Sequence, residues 1–311
     1  MQNFSSTHQL LDYGDSFVLG ISGGPDSVCL LDIFAYLQKK YDLRITLAHV
    51  NYGLRGRDSD LDELFVKKLA CQYDLPLFIS HSKITENNKS EEKLRDIRYR
   101  FFENIRKETN SDHIVTAHHE DDQAETFLLH LFRGSGLRGL SAMRPKNNTL
   151  IRPLLNTSRG DILDYLKIRD LSFRLDKSNA SNQFLRNKIR NKLLPLLEKE
   201  YAPKLKKKLA QTASLVAEDI SLLEQSTKKN IEQILLTEDS FSLKSFCKLN
   251  LSEQRQFLDI FFRKHSKKTH GTWIIEAQKM LTLAKNKNQI LTFPGLKILR
   301  KGDTVFLIRT H

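Results

Sequence analysis

Two hydrophobic patterns alternate through the first part of the chain. Short unbroken apolar runs, typical of strands buried on both faces, predict strands at 17–22, from Leu43 to Asn51, from Pro76 to Ser80 and from Asp112 to Ala117. Between them apolar residues recur every three or four positions, the spacing of a helix with one buried face. Val28, Leu30, Leu31, Phe34 and Leu37 do so within 26–40, and Leu61, Leu64, Phe65 and Leu69 within 59–74. Leu94, Ile97, Phe101 and Ile105 repeat the spacing within 91–108, and a further helix is expected from Asp121 to Phe132. Tyr52 to Arg57 reads as a loop, and the polar stretch Thr85 to Ser90 as a mobile one. Strand–helix alternation of this kind predicts an α/β fold, a parallel doubly wound sheet with helices on both faces. Ligands then bind beyond the C-terminal ends of the strands. Three polar stretches fall at such ends: the turn after the first strand, His49-Val50-Asn51, and His118-His119. One shared site is expected there.

The pattern changes downstream. Arg133 to Gly139 is a glycine-rich loop, Ile151 to Leu155 a short apolar segment, and Ser158 a cap for a helix reaching about Lys167. Asp176 to Gln183 is polar loop. Phe184 to Glu198 reads as a helix with Leu185, Ile189 and Leu193 on one side, its charge carried by Arg186, Lys188, Arg190 and Lys192. Residues 202–234 form a long helix, whole or broken, and Thr237 to Ser240 is read as a linker. Two more helices, about 251–264 and 272–285, precede strands from Gln289 to Phe293, Lys297 to Leu299 and Thr304 to Ile308, with Pro294-Gly295 and Gly302-Asp303 as turns. The expected division is an α/β domain over 1–200, a helical connector over 201–239 and a small α+β C-terminal domain over 240–311.

Composition narrows the setting. The 311 residues are 40% hydrophobic and 28% charged, enough for two globular domains. No apolar run is long enough for a bilayer, so no membrane partner is expected. The first residues, Met1 to Ser6, lack the basic and apolar regions of a signal peptide. Cys29, Cys71 and Cys247 are scattered with no Cys-x-x-Cys, which argues against a disulfide framework, a zinc ribbon or a sulfur cluster. A reducing cytoplasm is the default. The net charge of +13 is uneven: residues 1–150 carry −2 and residues 151–311 carry +15. That asymmetry suggests a polyanionic partner, most simply nucleic acid, although a lysine-rich solvated surface would give the same composition.

The chemistry concentrates in two stretches. Ser22-Gly23-Gly24-Pro25-Asp26-Ser27 links the first strand to the first helix. It has neither the lysine of a Walker A loop nor the Gly-x-Gly-x-x-Gly of a dinucleotide fold. Gly23 and Gly24 still permit positive φ and close approach of a phosphate, whose oxygens backbone N–H groups and the Ser22 and Ser27 hydroxyls can bind. Asp26 is out of place at an anion site unless a cation intervenes, which makes it a candidate Mg²⁺ ligand; the plainer reading is an acid favoured at a helix start. The second stretch, Thr116 to Thr126, holds Glu120, Asp121, Asp122 and Glu125 with His118 and His119 at a strand-to-helix junction. Asp122 and Glu125 share a helix face and could hold Mg²⁺, bind an amine or accept a proton. Alternatively these acids complement the helix dipole while one histidine packs structurally.

Ser-Gly-Gly-x-Asp-Ser resembles the signature of the ATP pyrophosphatases, the PP-loop family. The resemblance narrows when further motifs are added in order: His49 to Arg55, Glu92 to Tyr99, His118 to Thr126, Arg133 to Leu140, Ile151 to Leu155, Asp176 to Asn179, and Arg186-Asn187 with Ile189-Arg190. Together they resemble the tRNA(Ile)-lysidine synthase family over roughly residues 17–197. Tyr52 departs from the histidine common there, and Leu175-Asp176 from a Glu-Asp pair. The final 70 or so residues are only loosely similar, so one small C-terminal domain is expected rather than two.

The resemblance implies an adenine nucleotide α-hydrolase-like PP-loop domain that binds ATP, Mg²⁺, L-lysine and the isoleucine tRNA with a CAU anticodon. Such an enzyme adenylates the C2 oxygen of the wobble cytidine, releasing pyrophosphate. The lysine side-chain amine then displaces AMP, and decoding changes from AUG to AUA. Carried onto this sequence, ATP falls to Ser22, Gly23, Gly24, Pro25, Asp26, Ser27 and His49, and the metal to Asp26 and Asp122. Arg98 and Arg95 would hold phosphate, the activated base or RNA, unless they are a solvated helix face. Glu125 would orient or deprotonate lysine, with Asp122 and His118 behind it. Arg186, Arg190 and Lys192 would meet the anticodon arm, and the C-terminal domain would bind tRNA. Lys204 to Lys208 either extend that footprint or are solvated. Oligomeric state stays open between monomer and homodimer. Competing readings are a PP-loop tRNA thiolase, a small-molecule amidating enzyme, and a tRNA-binding paralogue without chemistry. The cysteines lack partners for the first, the basic half is unexplained by the second, and the intact acidic motifs argue against the third.

Overall fold

The computed structural model describes residues 8–82, 90–175, 184–266, 270–283 and 288–310. The stretches read as mobile or polar loops at 85–89 and 176–183 lie outside the described residues, as does the Asp176 to Asn179 motif. The chain divides into two compact units, one comprising 1–129 with 142–213 and the other 130–141 with 214–311.

The first unit is the doubly wound α/β domain that the alternation predicts. Its strands and helices run β1 (Ser16–Gly20), α1 (Pro25–Tyr41), β2 (Arg44–Asn51), α2 (Arg57–Tyr73), β3 (Leu77–His81), α3 (Glu91–Glu108), β4 (His113–Val115) and α4 (Glu120–Phe132). Strands β5 (Lys146–Asn147) and β6 (Leu150–Ile151) and helix α6 (Arg159–Ile168) follow, after a one-turn helix α5 (Leu137–Leu140) that belongs to the second unit. The sheet order is β3-β2-β1-β4-β6-β5, parallel except for the β5–β6 pair. Alternate residues of the strands point to opposite faces. Phe17, Leu19, Leu47 and Val115 meet Leu30, Leu31 and Phe34 of α1, Val66 and Leu69 of α2, and Ile162 and Leu166 of α6. Val18, Ala48 and Ile114 meet Phe102 and Ile105 of α3 on the other face. A Cβ at Gly20 would come within 2.5 Å of the Phe102 ring, so the glycine in β1 lets α3 close onto the sheet.

Two strands escaped the hydrophobic pattern because β5 and β6 are two residues each, too short to show a period. Ile151 joins the sheet beside Val115. The Ser158 cap is confirmed, with a reciprocal Asp161 capping box at the start of α6. The basic helix is continuous but irregular: α7 (Leu185–Lys188) passes through a π turn (Ile189–Leu193) into α8 (Leu194–Glu200). The long α9 (Leu205–Ile234) is whole.

The second unit contains an antiparallel sheet, β7-β8-β11-β10-β9, made of Leu235–Thr237, Ser240–Ser242, Thr304–Arg309, Leu296–Lys301 and Asn288–Phe293. Thr237 to Ser240 connects the paired β7 and β8. Helices α10 (Leu243–Phe246), α11 (Leu251–His265) and α12 (Gly271–Leu283) complete it. Its core is aromatic: Phe241, Phe246, Phe257, Phe261, Phe262 and Phe293 are buried. Arg138, from the glycine-rich loop, is anchored in this unit by Glu224 at 2.5 Å and Asp259 at 2.6 Å.

Candidate active site

The turn between β1 and α1 is fixed by its own hydrogen bonds and opens onto a helix N-terminus. Gly23 has φ +82°, and a Cβ there would also press on Phe65 at 3.2 Å. The Gly23 carbonyl is turned away to accept the Arg174 N–H at 2.9 Å. Gly24 is the N-cap of α1 without a side-chain cap, and Pro25 occupies the first helical turn. The Ser22 N–H donates to Ser27 Oγ at 3.3 Å, the Gly24 N–H to Ser22 Oγ at 3.3 Å, and the Ser27 hydroxyl to the Gly24 carbonyl at 2.9 Å. These bonds hold the loop open at a helix N-terminus, the geometry of an anion cradle. His49, at the end of β2, donates from Nδ1 to the Ile21 carbonyl at 2.8 Å. Burial keeps its imidazole neutral, so the buried, unpartnered Nε2 is an acceptor.

Asp26 stands in the first turn of α1, with Oδ1 buried and without a donor. Its Oδ2 lies 3.6 Å from Arg159 Nη1 and 3.7 Å from His119 Nε2. The same His119 atom is 3.6 Å from Asp122 Oδ2, which also accepts the His119 backbone N–H at 3.1 Å. His119 Nδ1 accepts the Asp121 N–H, which leaves the ring proton on Nε2, aimed between the two carboxylates. Asp26 and Asp122, expected together on a cation, thus both approach Nε2 of one imidazole. Burial raises the Asp26 carboxyl; His119 and Arg159 oppose the rise and Asp122 adds to it. Burial also works on Asp122, but His119, His118, Arg186 and Arg190 together hold it well below the usual range.

Glu125 lies one turn further along α4 and is 1% exposed. Arg186 Nε donates to its Oε2 at 2.8 Å, Arg190 Nη2 to the same oxygen at 2.9 Å, and Arg190 Nε to Oε1. Both guanidiniums continue to Asp122 Oδ1, at 3.2 and 3.0 Å. Arg186 and Arg190, expected on the RNA side, here bridge the two carboxylates, with Arg190 in the π turn. Lys192 is exposed. Lys206, from the lysine run, reaches Asp121 at 2.8 Å, whereas Lys204, Lys207 and Lys208 are exposed.

His118 lies to the other side of the junction. Its Nδ1 is 2.9 Å from Thr116 Oγ1, and burial, with Arg152, Arg98 and Arg95 nearby, keeps the ring neutral. Arg95 and Arg98 flank the Tyr99 ring at 4.8 and 5.6 Å. Tyr52, where histidine was expected, donates to the Leu94 carbonyl at 2.9 Å. Sequence reasoning overlooked Arg159 and Arg152. The one available signal for Arg159 was its place directly after the Ser158 cap, where a helix start meets the strand ends. Among the described residues no group of three His, Cys, Asp or Glu side chains could hold a metal ion, so a cation here would rest on Asp26, Asp122 and ligand oxygens.

A family model described as a PP-loop domain matches residues 2–197. The chain is 36% identical to a tRNA(Ile)-lysidine synthase of Caldanaerobacter subterraneus over 83% of its own length and 54% of that protein. It is 34% identical to one of Chlorobaculum tepidum over 96% of its length and 87% of that protein. It spans about half the length of the first curated relatives it matches. A solved U34-tRNA thiolase from Methanococcus maripaludis superposes with a TM-score of 0.56 at 20% identity, covering 70% of this chain and 77% of that one, a likeness of fold. With the PP-loop turn in place and relatives at 30–34% identity matched over nearly all of this chain, the chain belongs to the tRNA(Ile)-lysidine synthase family of PP-loop proteins.

Proposed function

We propose that this protein joins L-lysine, through its side-chain amine, to C2 of the wobble cytidine of an isoleucine tRNA with a CAU anticodon. The observation that carries the reading is the convergence of the glycine turn, Asp26 and the Asp122–Glu125 pair at one set of strand ends. In the first step the cytidine O2 attacks the α-phosphorus of ATP and the bond to pyrophosphate breaks. In the second the neutral amine attacks C2, the C2–O bond breaks and AMP leaves.

The side chains suit both steps. The amides of the turn and the Ser22 and Ser27 hydroxyls would cradle phosphate, and His49 Nε2 would accept a hydrogen bond from the nucleoside. Asp26, with its unpartnered Oδ1, and Asp122 would hold Mg²⁺, which would neutralise phosphate charge. Lysine arrives as an ammonium ion and must lose a proton before attack. Asp122 and Glu125 would bind that cation in exchange for a guanidinium of Arg186 or Arg190, and Glu125 would receive the proton. Lys192 and Arg95 would face the RNA.

Purified protein, ATP, labelled lysine and the CAU-anticodon tRNA test the reading: lysine should enter the tRNA in an ATP-dependent manner. Sulfur transfer without lysine incorporation would replace it with a thiolase. Cys29 is poorly suited to that chemistry, since burial, with Asp26 and Asp32 adding to it, pushes its thiol up to about 12.

A further inference from the structure

The helix that carries Arg186 and Arg190 sets two different kinds of residue against α4. Arg186 and Arg190 hold Glu125 and Asp122. Ile189 and Leu194, 1% and 0% exposed, cluster with Ala124 and Leu128 of the same α4. A regular α-helix cannot do both. Arg186, Ile189 and Arg190 share a face at α-helical spacing, and the next residue on that face would be Leu193. Leu194 would be turned about 100° away from it. In the structure Leu194 is buried and Leu193 only partly so. The π turn between α7 and α8 makes the difference. The Leu194 N–H bonds to the Ile189 carbonyl, five residues back, so the backbone takes up one extra residue there.

Pro195 explains why the turn stands at this place. It is the second residue of α8 and is exposed. Proline has no N–H for the bond four residues back, and in α geometry its ring would strike the Asn191 carbonyl. Widening the preceding turn removes that clash. The two sides of the turn are tied to different things. On one side α7, only four residues long, brings Arg186 to the carboxylates. On the other, α8 is held in the core by Leu194 and to the start of α9 by Glu198, which accepts the Lys206 N–H at 3.3 Å.

We infer that Pro195 is a positioning residue for the candidate site: by maintaining the π turn it keeps Arg186 and Arg190 on Glu125 and Asp122 while Leu194 stays in the core. An N–H at position 195 would let the helix become α throughout. The short α7, rather than the better anchored α8, then turns by about 100° and withdraws the guanidiniums. Carboxylates freed of a competing guanidinium are open to the lysine ammonium ion. That kinetic consequence rests on the proposed reading of Asp122 and Glu125 as the amine site; the structural consequence does not.

The test is the crystal structure and the kinetics of Pro195→Ala in the full chain. The position is exposed and alanine favours helix, so the variant should fold. Should it not, Pro195→Gln carries the same expectations. The expected structure has α geometry over 189–193 and Arg190 away from Glu125. A retained π turn, or α geometry with both arginines still on the carboxylates, overturns the inference. The expected kinetics are a KM for lysine lowered by about threefold or more, RNA adenylation unchanged, and no further change when Pro195→Ala is added to Arg190→Gln. An unchanged KM, or a loss shared equally by adenylation and lysine transfer, overturns the positioning role. A wild-type chain that takes up no lysine counts against the proposed function alone, because the structural outcomes need no turnover.

Discussion

Asp26 is the residue on which the chemistry and the electrostatics meet. Its carboxyl is raised, chiefly by burial, so the folded chain binds that proton more tightly than the unfolded chain does. The group therefore favours folding below the unfolded value, and this contribution is lost as pH rises through the folded value. Above the folded value the ligand-free protein carries an unfavourable buried charge there. Asp26→Asn should raise the Tm of the ligand-free protein by roughly 1–3 °C at pH 7, with no gain near pH 4. It should also abolish pyrophosphate release while leaving tRNA binding intact. Surviving pyrophosphate release would remove Asp26 from the proposed cation site. Glu125 is expected to behave differently. Glu125→Gln should cut lysine transfer by about a hundredfold or more while adenylation proceeds, which single-turnover measurement of the two steps would show. Parallel loss of both steps would make Glu125 a structural anchor for the arginines. Neighbouring residues mark the limit of what one sequence discloses here. Asp122 and Glu125 could be placed on one face from their spacing, but the histidine expected with them is His118, whereas it is His119 whose Nε2 lies near Asp26 and Asp122. The chain leaves the β4 ladder after Val115, and the path of those next residues decides which imidazole enters between the carboxylates.

Among the elements, the segment after α6 governs the glycine turn. The Arg174 backbone N–H holds the Gly23 carbonyl, and its side chain is ion-paired to Asp62 of α2, which Arg55 also holds at 2.6 Å. Arg174→Ala should loosen the turn and raise the KM for ATP by about threefold to tenfold, with a smaller effect on kcat and with Arg174→Lys partly restoring it. Equal losses in the alanine and lysine variants, confined to kcat, would contradict this. A second connection joins α1, α2 and α6: Asp32, almost fully buried, accepts from Tyr73 at 2.9 Å and Tyr165 at 2.7 Å and pairs with Arg169 at 3.1 Å. Burial works to raise Asp32, but the bonds from Arg169, Tyr165 and Tyr73 outweigh it and leave the carboxyl below its usual value. Its stabilisation is thus complete above the unfolded value of 3.8 and is lost as pH falls through the folded one. Asp32→Ala should cost about 2–4 kcal/mol in a denaturation experiment at pH 7, and less at pH 3. No loss at pH 7 would show the network to be dispensable. The strands and helices of the first unit were legible because their hydrophobic periods are long enough to count. The π turn was not, since its residues continue the helical spacing while the backbone widens by one residue. Nor was the pairing of Arg186 and Arg190: cations on a helix read as RNA-facing until the carboxylates of α4 are placed beside them.

For the whole molecule, charge and fold divide the work. The sheet of the first unit brings residues far apart in sequence, among them Asp26, Asp122 and Arg190, to one set of strand ends. The excess of +15 over residues 151–311 remains the most direct sign of a polyanionic partner. If those cations meet tRNA, affinity should fall steeply with salt, and a flat response would assign them to a solvated surface. The second unit folds around phenylalanines that its sequence pattern announced only as two helices and three strands; its extra pair, β7 and β8, is too short to have been recognised. The central claim is that ATP activates the RNA before an amine replaces AMP. It is tested most directly by following both halves of ATP, labelled separately, with the CAU-anticodon tRNA and no lysine. The account predicts RNA-dependent pyrophosphate release with AMP retained on the tRNA, then discharge of that AMP when lysine is added, with lysine taking its place. Pyrophosphate release that ignores the RNA, or AMP that never becomes attached to it, would contradict the account.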